Sequence, residues 1–217
     1  MVKAVQTCWD PRNLAKAQEH NWLSPEYFWM SCALSAFRIL SNFNILELYA
    51  SKSKKKVLID ELGIPYSNYY ELPHDLGFPE EVWAMSKIFT YSCQQSPFLH
   101  FDEDVFIGNF FDIIKEKYDL VAQNLESGFY MYDLSIKEIQ LHSGFIPRIF
   151  RKKNIYTESS NAGVIGGFDI SFFSEYTSQA KTFIYKNKNI INESNALMFG
   201  VIAEQLLFHE LAEYKKK

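Results

Sequence analysis

An α/β sandwich with a largely parallel central sheet is the fold class this sequence predicts, on three observations. Short apolar runs alternate with amphipathic stretches, the order that strands and crossover helices require. The 217 residues suffice for one sizeable core. No repeat, low-complexity tract or long linker divides the chain, so a single domain spanning residues 1–217 is expected.

The elements follow in order. Val2 to Thr7 reads as a buried strand, broken by Trp9-Asp10-Pro11. Ser24-Pro25-Glu26 combines a hydroxyl cap, a proline at the first helical position and an acid in the first turn. The helix it opens runs to about Leu40, with Met30, Ala33, Leu34, Phe37 and Leu40 at helical spacing. Asn44 to Ala50 is a second strand, Lys54 to Leu62 a helix closed by Gly63, and Tyr66 to Leu72 a third strand. Pro79-Glu80-Glu81 opens a helix to about Ser92. Pro97 to Gly108 holds a strand and the turn after it, Phe111 to Lys117 a short helix, and Leu120 to Leu125 a strand. Leu134 to Phe150 is mostly helical, interrupted at Gly144 and Pro147. Ile155 to Thr157 and Gly163 to Gly166 read as strands, Ser171 to Tyr185 and Asn195 to Tyr214 as amphipathic helices.

Composition excludes several function classes. The net charge is −4 and the lysine runs are short and scattered, so no stripe for a nucleic-acid backbone is present. Cys8, Cys32 and Cys93 form no CxxC pair, which excludes a disulfide scaffold or zinc knuckle and suits a reducing cytoplasm. No run of eighteen apolar residues and no signal pattern occurs; the last three lysines offer at most a peripheral contact with the inner face of a membrane. Aromatic residues reach 17%, which reads either as a bulky core or as a cleft lined with platforms for sugar or base rings. His20, His74, His100 and His142 lack ligand spacing. No Walker loop, GxGxxG or GxSxG is present, and His209-Glu210-Leu211-Ala212-Glu213 lacks the second histidine of a zincin.

The chemistry concentrates at Asp102-Glu103-Asp104. Phe98, Leu99, Phe101, Val105 and Phe106 make an apolar strand, and buried carboxylates within it require a pairing charge or a cation. In an extended segment Asp102 and Asp104 point to one side and Glu103 to the other. Two hard oxygen ligands suit Mg²⁺ or Mn²⁺, with substrate phosphates completing the shell. Ligands of α/β folds sit beyond the carboxyl ends of strands, where this cluster lies.

Pro97-Phe98-Leu99-His100-Phe101-Asp102-Glu103-Asp104-Val105-Phe106 resembles the DxD region of GT-A-type glycosyltransferases, in which a strand of the form LHxDxDV delivers metal-binding acids. Asn161-Ala162-Gly163-Val164-Ile165-Gly166-Gly167 resembles the N-(A/S)-G-V segment of glycogenin-like and capsular-polysaccharide transferases, which lies beside the sugar and acceptor. Glu204-Gln205 resembles the acid-Gln pair that follows that segment and reaches towards the transferred sugar. The three stand in the same order as in those families. The resemblance implies a GT-A sandwich and a metal-dependent transferase. Its donor would be a nucleoside diphosphate sugar, UDP-linked, and its acceptor a glycan, a lipid-linked group or a protein.

By this resemblance Asp102 faces the ribose and the metal, and Asp104 is the main ligand of Mn²⁺ or Mg²⁺. Asn161, Ala162, Gly163 and Lys87 meet donor or acceptor. Gln6 and Thr7, ending the first strand, and Ser51, after the second, hold the nucleobase side. Glu204 and Gln205 are the catalytic candidates beside an oxocarbenium-like sugar. One departure stands out. Related enzymes supply a third metal ligand, a histidine, after the acid-Gln helix, whereas this sequence ends at Lys217, so the expectation is either a truncated or minimal form or a metal held by the two Asp residues and phosphate alone. His209 shares a helical face with Gln205 but is not expected to replace that ligand. Two other readings remain: a degenerate transferase-like domain that binds without turnover, and a sugar-phosphate nucleotidyltransferase. Val5 to Trp9 lacks the Gly-rich loop of the latter. No oligomeric state follows from the sequence.

Overall fold

The computed structural model describes residues 2–10, 23–108, 116–142, 144–151 and 155–217. Strands β1 (Lys3–Cys8), β2 (Leu46–Ala50), β3 (Asn68–Glu71), β4 (Phe98–Phe101), β5 (Val121–Ala122) and β8 (Val164–Gly167) form one mixed sheet in the order β3-β2-β1-β4-β8-β5. The first four in that order are mutually parallel, and β8 runs antiparallel to both β4 and β5. The expected α/β architecture with a mainly parallel sheet is therefore present.

Helices cover both faces of this sheet. α1 (Pro25–Leu40) and α2 (Lys52–Lys55, continued as a π-helical segment Lys56–Glu61) pack on one side over Ala4, Leu46, Leu48 and Leu99. On the other side α3 (Ala84–Ser92), α5 (Ile170–Asn187) and the C-terminal helix pack over Val5, Phe98 and Ile165. That last helix is α6 (Ala196–Val201), a π-helical turn Ile202–Leu206, and α7 (Leu207–Lys215) in succession. α4 (Met131–Leu141) lies beside it, and β6 (Leu125–Ser127) and β7 (Glu158–Ser160) form a separate two-stranded sheet.

Several boundaries differ from expectation for local reasons. The α3 helix begins only at Ala84, because Pro79 to Val82 closes a turn through Val82 N–H to the Pro79 carbonyl at 3.0 Å. The run Leu120 to Leu125 is split between two sheets as β5 and β6, and the strand expected at Ile155 begins at Glu158. Leu134 to Phe150 resolves into α4 and a 3₁₀ turn, Arg148–Arg151. The helix expected over Phe111 to Lys117 falls largely outside the described residues.

The face of α1 is a clearer correction. The stripe expected to be core is largely exposed, with Met30 66%, Leu34 51% and Phe37 50% accessible. The buried face carries Phe28, Ser31, Cys32, Ser35, Ala36 and Ile39 instead. Small residues let the helix lie close to the sheet. The Ser35 hydroxyl is satisfied by donating to the Val105 carbonyl at 2.7 Å, so polarity there is no obstacle to burial.

Close approach explains the glycines of β8. A Cβ at Gly166 would stand 2.1 Å from the Phe98 carbonyl oxygen, so only glycine lets β8 meet β4 at this spacing. The strand contact they permit ends with Phe101 opposite Val164, directly before the acidic turn.

Candidate functional site

The parallel strands β1, β2 and β4 end at one edge with Cys8, Ala50 and Phe101, and the Asn161–Gly163 segment arrives there ahead of β8. Phe101 closes β4, so Asp102, Glu103 and Asp104 lie in a turn, fastened by Val105 N–H to the Asp102 carbonyl at 3.2 Å. The same-side alternation expected of an extended run therefore does not hold. Asp102 turns towards α3 and the C-terminal helix. Glu103 reaches Cys8, and Asp104 is exposed, its charge felt by Cys32 on α1.

Lys87, on the inner face of α3, joins the turn to the C-terminal helix. Its ammonium stands 2.8 Å from Asp102 Oδ1, 3.0 Å from Oδ2 and 2.7 Å from Glu204 Oε1. The side chains of Lys87 and Glu204 are 5% and 1% exposed, whereas Asp102 keeps 23%, so Asp102 is the solvent-facing member. Burial alone would push Lys87 towards neutrality, but the two carboxylates outweigh it and hold its pKa above the ordinary lysine range. Burial, with Glu204 and Glu103 adding to it against Lys87, raises Asp102 to about 8. Tyr91 donates to Glu204 Oε1 at 3.0 Å, and Tyr176 donates to the Glu204 carbonyl at 2.7 Å.

Behind Asp102 lies a buried relay. Thr7 donates to Thr90 Oγ1 at 2.9 Å, and Thr90 donates to the Ser86 carbonyl at 3.0 Å. Thr7 is thus left to accept from His100 Nε2 at 2.9 Å, which assigns the ring proton to Nε2. The Nδ1 lone pair then faces Asp102 Oδ1 at 3.8 Å, and burial together with Lys87 keeps the ring neutral.

The three sequence segments are linked into a closed ring. Asp102 N–H donates to the Gly163 carbonyl at 2.9 Å, and Gly163 N–H donates to Asn161 Oδ1 at 2.9 Å. Asn161 Nδ2 donates to Glu126 Oε1 at 2.8 Å. The Tyr132 hydroxyl donates its one proton to Glu126 Oε2 at 2.5 Å and meets the Gln205 side-chain amide at 2.8 Å. Gln205 adjoins Glu204 in the chain, and Lys87 returns the path to Asp102. The π-helical turn Ile202–Leu206 lets consecutive residues serve both neighbours, with Glu204 on Lys87 and Gln205 on Tyr132.

Scanned against protein families, residues 2–217 match the one described as "Family of unknown function (DUF6734)". The chain belongs to that family. Among curated proteins there is no match. Among solved structures the DUF6734 chain is similar to the apo crystal structure of mouse xyloside xylosyltransferase 1, at 10% identity and a TM-score of 0.39, over 93% of this chain and 81% of that chain. At that level of likeness, what the site does has to be read from its own residues.

The remaining candidates in this DUF6734 chain are placed as follows. Gln6 is buried against α1, its Nε2 donating to Ser35 Oγ at 3.2 Å and its Oε1 accepting from Tyr66 at 2.9 Å. With Thr7 it shapes the floor of the strand edge while its polar atoms serve the protein. Ser51 follows β2, its N–H bound to the Cys8 carbonyl at 3.2 Å, and Ala162 is a core residue. His209 packs away from Lys87, with Nδ1 3.3 Å from Ser160 Oγ. Glu126, Tyr132, Tyr91 and Tyr176 are site residues that the sequence reading missed.

The fit to a divalent ion is poor in this arrangement. Asp102 already faces an ammonium with both oxygens, Asp104 is exposed, and no cluster of three or more His, Cys, Asp and Glu placed for a metal occurs among the described residues. No helix among the described residues is long and apolar enough to cross a membrane.

Proposed function

We propose that this edge of the sheet binds a nucleoside diphosphate sugar, with UDP as the first nucleotide to test, and transfers the sugar to a glycan, lipid-linked or protein acceptor. The observation that supports the reading is the ring itself. The acidic turn, the Asn161–Gly163 segment and Glu204-Gln205 lie far apart in sequence and meet through Lys87, Glu126 and Tyr132. Departure of a diphosphate needs fixed positive charge, and Lys87 is a buried cation at the strand edge beside the acidic turn. Developing charge at the sugar carbon needs a carboxylate or amide oxygen nearby, and the half-buried Gln205 amide is the nearer candidate, with Glu204 fixed behind it by Lys87 and Tyr91. A donor enters past Asp102, the exposed member, exchanging the Asp102–Lys87 contact for a phosphate–Lys87 contact. The complete pairing of Lys87 with protein carboxylates favours one second reading, a domain that binds a sugar nucleotide without turnover.

Thermal shift with UDP and a panel of UDP-sugars, with Mn²⁺ and with EDTA, tests binding in wild type and Lys87→Met. A shift present in wild type and lost in a Lys87→Met chain that still melts cooperatively, with Lys87→Arg retaining part of it, supports the site. No shift with any nucleotide sugar overturns it. Release of free sugar or product over time then separates transfer from binding alone.

A further inference from the structure

A second cavity lies at the N-terminal end of the C-terminal helix, whose middle carries Glu204 and Gln205 of the ring. The end of α4, the α5–α6 connection and the first turn of α6 surround an open cavity of about 420 Å³, which shares no residue with the ring. That volume falls within the ~300–1,000 Å³ of ordinary ligand sites. Its floor is aliphatic and aromatic: Ile139 and Phe199 from the core, with Ile190 and Met198 half-buried beside them. The rim is polar and mostly uncharged, carried by Asn189, Asn192 and Ser194 on one wall and by Glu138 and His142 on the other.

The walls are fixed before any ligand arrives. Asn192 Oδ1 accepts from Ser194 N–H at 3.0 Å and from Ser194 Oγ at 2.5 Å. Asn195 Oδ1 accepts from Asn192 N–H at 2.8 Å, and Asn195 Nδ2 donates to the Ile190 carbonyl at 2.8 Å. Asn187 clamps the end of α5 to the segment after α4, accepting from Phe145 N–H at 2.7 Å and donating to the Phe145 carbonyl at 2.9 Å. These bonds leave the Asn192 amide nitrogen and the whole Asn189 amide for a ligand.

The lining selects a chemistry. Among the described residues it contains no lysine or arginine, so an anion finds no counter-charge, and a single carboxylate is too few for a metal cation. What fits is a neutral molecule with an apolar face for the Ile139–Met198 floor and many hydroxyls for the amides. A pyranose ring has both.

We infer that this groove binds a neutral carbohydrate chain. Met198 and Glu204 are six positions apart, about 9 Å along a helix axis. The inference does not require the ring to be catalytic. If the ring transfers sugar, the groove seats the acceptor.

The test is saturation-transfer NMR with the intact chain and a panel of neutral oligosaccharides, against wild type, Asn189→Trp and Glu138→Ala. Asn189 makes none of the loop bonds and Glu138 is exposed, so both variants should melt as wild type does. Saturable binding of at least one oligosaccharide is expected, weakened about tenfold or more when the tryptophan fills the groove and several-fold without Glu138. The UDP response of the ring should be unchanged in both variants, which keeps failure here distinct from failure there. The inference is overturned if no oligosaccharide binds, if binding survives Asn189→Trp, or if a neutral peptide competes for the groove where sugars do not.

Discussion

Lys87 and Lys54 are both buried lysines near the carboxyl edge of one sheet, on opposite faces of it. Lys87 has three carboxylate oxygens within 3.0 Å. Lys54 has Asp10 at 3.8 Å, too far for a hydrogen bond, and rests 4.8 Å above the Trp29 ring and 5.8 Å from that of Phe28. Desolvation is comparable, since the two side chains are 5% and 2% exposed. The compensation differs. At Lys87 it is directional and shared by groups from three elements, so loss of any one strands a charge. At Lys54 it is diffuse, a cation over aromatic faces with the buried Asp10 carboxylate beyond hydrogen-bond reach, so less direct pairing is lost with the ammonium.

The largest effect expected from this contrast is at Lys87. Lys87→Met should destabilise the fold by about 3–5 kcal/mol, because Asp102 and Glu204 are left without their cation. Urea unfolding measures it, and adding Glu204→Gln should recover part of the loss. Lys54→Met should cost less, about 1–2 kcal/mol or nothing, by the same measurement. Equal losses at the two positions would erase the distinction.

A pH dependence comes next. Asp102 has a folded-state pKa raised from the ordinary carboxylate range to about 8, its side chain being 23% exposed. Between those values the folded chain holds a proton that the unfolded chain has released, so this group makes stability fall as pH rises through the window. Asp102→Asn should remove that decline in unfolding curves taken at pH 5 and about pH 8. A slope that persists in the variant would locate the proton elsewhere. The smallest effect is expected at Asp104, which is exposed. Asp104→Ala should change stability by no more than about 0.5 kcal/mol. If the same change abolishes a Mn²⁺-dependent response to UDP, the turn recruits Asp104 to a metal once the donor is bound.

Much of the fold was legible because burial on both faces writes continuous apolar runs. Leu46 to Ala50 and Phe98 to Phe101 are such runs but for Glu47 and His100, and both are inner strands of the sheet. The face of α1 was misread because two stripes share one helical period, and the stripe rich in small residues is the one the sheet accepts. At the site, the acidic turn, Asn161 and Glu204-Gln205 stood out by residue type. Their partners did not. Glu126 sits in a three-residue strand too short to show alternation, and the Tyr91–Glu204 contact spans 113 positions, which no local pattern encodes. Lys87 was visible as a cation, but only the packing of α3 against the C-terminal helix shows that it belongs to two carboxylates at once.

The π-helical turn Ile202–Leu206 sets a phase relation along the last helix. Upstream, Ala196 and Phe199 are seated in the core; downstream, Leu207, Phe208 and Leu211 are seated in the same core. The turn carries one residue more than a plain α-helix would, and each residue counts for about 100° of rotation. A single deletion between Val201 and Leu207 would restore regular winding with the two halves still in register, and would remove the extra position that lets Glu204 and Gln205 face different partners. The core faces would stay seated while the Glu204–Lys87 or the Gln205–Tyr132 contact is lost. The irregular turn thus ties the length of the helix to the charge balance of the site, and the two can change only together.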